Sequence, residues 1–285
     1  MQIVRSIAET RAALRELRAP SRTLGLVPTM GALHEGHLSL VRAARAQCDV
    51  VAASIFVNPT QFGPSEDFSN YPRTFENDCW LLEAEGVDLL FAPETEEMYP
   101  PGATTLVEVE GIGDRLDGVS RPGHFRGVAT IVAKLFHILG PDQAFFGQKD
   151  AAQVAVLRRM VRDLNFPLEI VVCPTVREPD GLALSSRNRY LSIDERAQAL
   201  ILHRALNAIE RRAAEGELQS EQLIDAGLEV LAYEPYARLD YLKIVDPGTL
   251  EDIRDIGQGA LVAIAAWLGS TRLIDNIVLP PSASA

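Results

Sequence analysis

Two histidines three residues apart, His34 and His37, lie in the segment Gly31-Ala32-Leu33-His34-Glu35-Gly36-His37, directly after Val27-Pro28-Thr29-Met30. A strand that ends in a glycine turn and passes into a new helix gathers unpaired N–H groups and the positive end of the helix dipole at one point. A phosphate is stabilised there. The imidazoles would add tunable donors. The same pair also fits a helix cap beside a surface histidine. Zinc suits it less, because the metalloprotease pattern separates its histidines by four and places Glu after the first.

Three further segments carry groups for related chemistry. Asn58-Pro59-Thr60-Gln61-Phe62-Gly63 offers neutral amides, which both donate and accept and so suit a hydroxy acid. Phe145-Phe146-Gly147-Gln148-Lys149-Asp150, with Gln153 just beyond, combines a glycine open to close backbone approach, a lysine that can neutralise phosphate and a carboxylate that can cap a helix or meet a nucleotide hydroxyl. Leu184-Ser185-Ser186-Arg187 sets two hydroxyls beside a guanidinium fork that matches phosphate oxygens. Taken singly, each also reads as a turn, a surface ion pair or a cap. Arg121 and Arg126, flanking Gly123-His124-Phe125, would add positive charge or stay solvated. Together the segments describe a pocket for a polyphosphate and a small polar acid. There is no P-loop motif, and Gly111-Ile112-Gly113 lacks the third glycine of a dinucleotide turn. Without a serine-histidine-carboxylate order or paired acids, positioning and charge stabilisation are favoured over covalent catalysis.

The elements that must hold these segments alternate. A capping box at Ser6 and Glu9 predicts a helix through Arg18, broken by Pro20 before a strand over 24–29. A helix over 37–47 and a continuous apolar strand over 50–57 complete a βαβ unit. Helices over 75–85, 128–139 and 151–164 then alternate with strands over 88–91, 143–146 and 168–172. This pattern predicts an α/β fold with a doubly wound parallel sheet, whose C-terminal strand ends receive the first three segments, where open α/β sheets bind ligands. A domain boundary falls at 173–176, within a stretch punctuated by Pro and Gly over 174–181. Beyond it, Ser192 and Glu195 open a helix to 214, and Ser220 caps another towards 232. Strands over 239–245, 260–268 and 272–278 form an antiparallel sheet, and the tail over 280–285 frays.

Composition narrows the partners. A length of 285 residues, 47% hydrophobic and 23% charged, suits two globular domains. The net charge of −12, with no basic run longer than a pair, argues against nucleic acid. Cys48, Cys79 and Cys173 are odd in number and lack metal spacing, which predicts buried thiols in a reducing compartment. The charged N-terminal segment and the lack of a long apolar run predict no membrane span, with the cytoplasm as default.

The stretches from Val27 to His37, Phe56-Val57-Asn58-Pro59-Thr60-Gln61-Phe62-Gly63, Phe146-Gly147-Gln148-Lys149-Asp150 and Leu184-Ser185-Ser186-Arg187-Asn188 resemble, in order and over nearly the whole chain, the signature segments of the pantothenate synthetase family. The resemblance implies an ATP-dependent ligase that condenses (R)-pantoate with β-alanine to pantothenate, AMP and diphosphate through a pantoyl-adenylate. It also implies kinship with the broader nucleotidyltransferases and, for the His turn, with class I aminoacyl-tRNA synthetases. By the same resemblance, residues 1–175 form a Rossmann-like nucleotide- and pantoate-binding domain, and 176–285 a smaller α+β lid. Met30, Gly31, Ala32, Leu33, His34, Glu35, Gly36 and His37 would line the ATP site, with His37 the catalytic group at the reacting phosphate. Gly147, Gln148, Lys149, Asp150, Val176, Leu184, Ser185, Ser186 and Arg187 would complete it. Gln61 would contact pantoate and β-alanine, and Gln153 pantoate. Leu184 replaces the family's usual methionine and stays apolar. Mg2+ would accompany the triphosphate on ligands the chain does not reveal, and a homodimer is implied, without nucleic-acid or membrane partners. A lid hinged over 174–181 would keep water from the acyl-adenylate.

Overall fold

A computed structural model describes residues 1–18, 21–64 and 66–282, so that Pro20, read as a helix breaker, lies outside the described residues. The chain separates into two compact units, the first Met1–Gly147 with Val156–Pro174 and the second Gln148–Ala155 with the chain from Thr175 onward.

The first unit runs β1 (Gln2–Val4), α1 (Ile7–Leu17), β2 (Leu24–Thr29), α2 (Glu35–Gln47), β3 (Val50–Ile55), α3 (Phe75–Ala84), β4 (Leu89–Phe91), α4 (Thr95–Met98), α5 (Asp117–Ser120), α6 (His124–Leu139), β5 (Gln143–Gly147), α7 (Ala151–Asp163, whose first turn belongs to the second unit) and β6 (Glu169–Cys173). Its six strands are all parallel, in the order β1-β4-β3-β2-β5-β6, with helices alongside. Strands β2 and β3 read as continuous apolar runs because nearly every residue in them is buried. The Ser6–Glu9 capping box opens α1 as its residues predict. Strand β1 escapes the pattern because its three residues are too few to show a period, yet they pair with Leu89–Phe91 at the sheet edge. Helix α6 begins four residues before the predicted 128, since Gly123 in the left-handed region (φ 80°) starts it and the polar His124 and Arg126 interrupt its apolar signal.

The sheet order reverses at β2 and β5. Strand β2 pairs with β3 along its whole length, from Leu24↔Val50 to Thr29↔Ile55, but meets β5 only at Gly25↔Gln143 and Leu26↔Ala144. Its end at Thr29 therefore separates from the end of β5 at Gly147, leaving the crevice where an open α/β sheet takes its ligand.

The second unit holds α8 (Ile193–Gln198), α9 (Leu200–Ala214), α10 (Ser220–Leu231) and the antiparallel strands β7 (Ala237–Val245), β8 (Ala260–Leu268) and β9 (Thr271–Leu279). Leu202, Leu206, Ile209 and Leu223 pack with Ile244, Val262, Ile264 and Leu268 to form its core. The helix predicted from Ser192 to 214 is broken at Ala199. Ser220 does not cap α10: the cap position is Gln219, and the Ser220 N–H donates to Arg254 O at 2.9 Å. The tail is held as far as Ser282, whose N–H donates to Gly257 O at 3.0 Å, and its last three residues lie outside the described ones.

The stretch over 177–181 is not a free hinge. Arg177 donates to both oxygens of buried Asp275, at 2.6 and 2.9 Å, and to Gly181 O at 3.1 Å. Glu178 N–H closes the turn on Leu182 O at 2.8 Å. These residues belong to the body of the second unit.

Candidate active site

The turn after β2 is built around one buried carboxylate. Thr29 Oγ1 donates to Ser54 O at 2.8 Å and accepts the Gly31 N–H at 3.1 Å. Gly31 and Ala32 then take left-handed backbones, at φ 79° and 51°. A Cβ at Gly31 would stand 3.0 Å from Asp78 Oδ2 and 3.1 Å from Ile55 Cγ2, so glycine fits both the dihedral and the space. Ala32 is strained there, and Asp78 of α3, 1% exposed, holds it. Asp78 Oδ2 accepts the Ala32 N–H and Oδ1 the Leu33 N–H, both at 2.9 Å, and the Thr74 hydroxyl donates to the same carboxylate at 3.1 Å. The sequence reading missed Asp78, whose only local signal is a carboxylate on a helix face that turns out to be buried.

His34 and His37 both take part in the helix cap. His34 is the N-cap of α2, and its Nδ1 accepts the Gly36 N–H at 3.1 Å. His37, at the third helical position, accepts the His34 N–H on Nδ1 at 3.3 Å. An imidazole that accepts on Nδ1 carries its proton on Nε2, so each neutral ring presents an Nε2–H donor. The rings pack 4.2 Å apart at 44°. Glu35 is exposed and ion-paired with Arg42, while Ala32 and Leu33 are buried and their N–H groups, expected to stand unpaired, are taken by Asp78. Among the described residues no group of three His, Cys, Asp or Glu could hold a metal, which leaves the zinc reading without support.

Met30 joins this turn to the Gln61 loop. Gln61, 9% exposed, donates from Nε2 to Met30 Sδ at 3.3 Å and accepts from Asn58 Nδ2 at 3.0 Å. That leaves its amide one N–H and one lone pair for a ligand. Asn58 also donates to Gly127 O at 3.1 Å and accepts from Tyr99 OH at 2.9 Å. Behind Gln61, His124 Nδ1–H donates to Gln61 O at 2.8 Å, and Arg121 donates to His124 Nε2 at 2.9 Å. Arg121 is no loose positive charge, because it pairs with Glu66 at 2.6 Å; Arg126 is exposed, 4.0 Å from Glu108.

Burial, and then the Arg121 charge, hold His124 down to about 4 from its ordinary 6.5. The folded chain keeps this ring neutral, so between those values the unfolded chain binds more protons. The stability it confers is complete above pH 6.5 and lost as pH falls towards 4, by about 3 kcal/mol at roughly 1.4 kcal/mol per pH unit. Denaturant titrations between pH 7 and 4 check this, with His124→Asn expected to lose that part of the slope.

In the second unit, Gln148–Asp150 makes one 3₁₀ turn clamped by Asn276 of β9, 4% exposed. Asn276 Nδ2 donates to Gln148 O at 3.0 Å and Lys149 O at 2.9 Å, and its Oδ1 accepts from Gln148 Nε2 at 3.0 Å. Lys149 lies 3.5 Å from Asp150, and Gln153 follows in the first turn of α7. Leu184 N–H donates to Val176 O at 3.0 Å, and Ser185 Oγ accepts the Arg187 N–H at 3.3 Å, capping the turn Ser186–Tyr190. Strand β9 packs against both this turn and Gln148–Asp150, which brings the Lys149 and Arg187 segments onto one support. Asn276, too, was missed in the sequence.

Residues 2–278 match the family model for pantoate-beta-alanine ligase. A pantothenate synthetase from Acidobacterium capsulatum is 64% identical, over 98% of this chain and 97% of that protein. One from Koribacter versatilis is 60% identical, over 100% and 98%. A pantothenate synthetase structure from Thermus thermophilus superposes with a TM-score of 0.94 at 51% identity, covering 99% of this chain and 100% of that one. A Francisella tularensis pantoate-beta-alanine ligase, solved with beta-gamma ATP and beta-alanine, gives 0.80 at 35% identity, covering 98% and 97%.

Proposed function

The chain belongs to the pantoate–β-alanine ligase family, and from that premise we propose how its residues divide the work. The enzyme condenses pantoate with β-alanine at the expense of ATP. In the first step a pantoate carboxylate oxygen attacks the α-phosphorus and diphosphate leaves with the broken P–O bond. That nucleophile needs no base; the step needs its crowded phosphates neutralised. The turn from Met30 to Gly36, whose N–H groups at Gly31, Ala32, Leu33, His34 and Gly36 are spent on holding its own shape, lines the nucleotide, the His34 imidazole holds it, and His37 Nε2–H donates to the reacting phosphate. From the second unit, Gln148, Lys149 and Asp150, Val176, and Leu184, Ser185, Ser186 and Arg187 supply charge, hydroxyls and an apolar seat for adenine, with Gly147 leading into them. In the second step the amine of β-alanine attacks the acyl carbon, loses a proton, and AMP leaves. Residues 176–285 are assigned the lid that excludes water during this step.

One observation carries the reading: the His turn, pinned at the sheet's switch point, is hydrogen-bonded through Met30 to the Gln61 amide, so phosphate donors and an acid-binding group share one place. Magnesium is assigned to the triphosphate itself. A cytoplasmic homodimer completes the proposal; Cys48, Cys79 and Cys173 are unpaired thiols, Cys79 only half-buried, as a reducing compartment allows. No helix among the described residues is long and apolar enough to cross a membrane.

Gln61→Ala tests the substrate assignment. The KM values for pantoate and β-alanine should each rise about tenfold to a hundredfold while that for ATP stays unchanged. Steady-state kinetics with unaltered pantoate and β-alanine constants would remove Gln61 from the site.

A further inference from the structure

We propose that His124 is a positioning residue that sets the Gln61 amide at the angle the acid substrates need; the proposal rests on the assignment of Gln61 above. Gln61 sits at the end of the short turn Pro59–Gln61, which has little stiffness of its own. Helix α6 supplies the stiffness at three points. His124 Nδ1–H holds the Gln61 carbonyl at 2.8 Å. Gly127 O anchors Asn58, which in turn holds Gln61 Oε1. Gly127 itself presses on the turn so closely that a Cβ there would stand 2.4 Å from Thr60 O and 2.7 Å from Gln61 Cα.

The imidazole is suited to this task by what lies behind it. Arg121 can only donate, so His124 Nε2 must accept, and Nδ1 must carry the proton. Glu66 fixes Arg121 in turn, at 2.6 and 2.9 Å. The chain Glu66–Arg121–His124 thus selects one tautomer and aims its only N–H at one carbonyl. Neither Arg121 nor His124 has another part in the reaction.

Two substitutions separate positioning from bulk packing. His124→Asn places its Nδ2 where the imidazole Nδ1 stands and keeps a donor for Gln61 O. His124→Gln puts its amide near the far nitrogen and loses that donor. The kcat/KM for pantoate and for β-alanine should fall about 30- to 100-fold in His124→Gln, with the KM for ATP unchanged, because a misplacement near 1 Å costs about that much. His124→Asn should stay within about threefold of the parent enzyme. In a Gln61→Ala background, His124→Gln should cost nothing further. Equal losses in the Asn and Gln variants, tracking their melting temperatures, would make His124 merely structural and overturn the proposal. Normal kinetics in His124→Gln alongside an impaired Gln61→Ala would overturn it too, and leave the function intact. An unimpaired Gln61→Ala would instead overturn the assignment on which it rests.

Discussion

His37→Gln should lower kcat by about 10²- to 10³-fold without loosening the fold, the scale set by removing one preorganised donor from a developing charge. The choice of glutamine matters. His37 occupies the third helical position and accepts the N-cap N–H, and glutamine at that position serves a capping box equally well. With its amide oxygen folded back to accept the His34 N–H, the variant keeps the cap and carries its NH2 away from where the imidazole Nε2–H points, so its unfolding free energy should stay within about 0.5 kcal/mol of the parent. Lys149→Met should cost a similar factor by removing charge from the phosphates, while Asn276 continues to hold its backbone. Were His37 a cap and nothing else, His37→Gln would turn over at the parent rate.

Asp78→Asn should be the most damaging substitution outside the residues that meet substrate. The carboxylate accepts two buried N–H groups and a hydroxyl, and an amide in its place turns an N–H against an N–H. Bonds to a buried charge are worth about 1.5–3 kcal/mol each, so the chain should lose about 2–4 kcal/mol of stability. The released strain at Ala32 lets the turn relax, and the donors it aims drift. Below the melting transition, kcat/KM for ATP should still fall about a hundredfold. Thr74→Val removes a single donor and should cost about 1 kcal/mol with a severalfold loss in rate. Denaturant unfolding paired with kinetics on the folded fraction checks both. Parent-like ATP kinetics in folded Asp78→Asn would show that the turn does not depend on its carboxylate.

Local signals explain which parts of this molecule could be read from its residues. Strands β2 and β3 are uninterrupted apolar runs because both faces are covered, and α1 declares itself through Ser6 and Glu9. The four signature segments carry their chemistry in contiguous residues, and so does the cap formed by His34 and His37. What stayed hidden depends on distant partners. Asp78 meets the turn from 46 residues away, His124 reaches Gln61 across 63, and Asn276 reaches Lys149 across 127. In the sequence each is a single polar residue with nothing beside it to show what it holds. Arg121 looked available because Glu66, which neutralises it, lies 55 residues back. The break at Ala199 is invisible too, since alanine itself favours the helix and nothing in its neighbours signals a stop.

The central claim is that this turn activates pantoate by adenylation before β-alanine takes part. A single-turnover quench with enzyme in excess over α-labelled ATP, with pantoate and without β-alanine, tests it directly. The parent enzyme should release one diphosphate per ATP and hold the label as pantoyl-adenylate, with free AMP appearing only when β-alanine is added. In His37→Gln the diphosphate phase should slow by the same factor as kcat. Diphosphate released without pantoate, or withheld until β-alanine is present, would contradict the account.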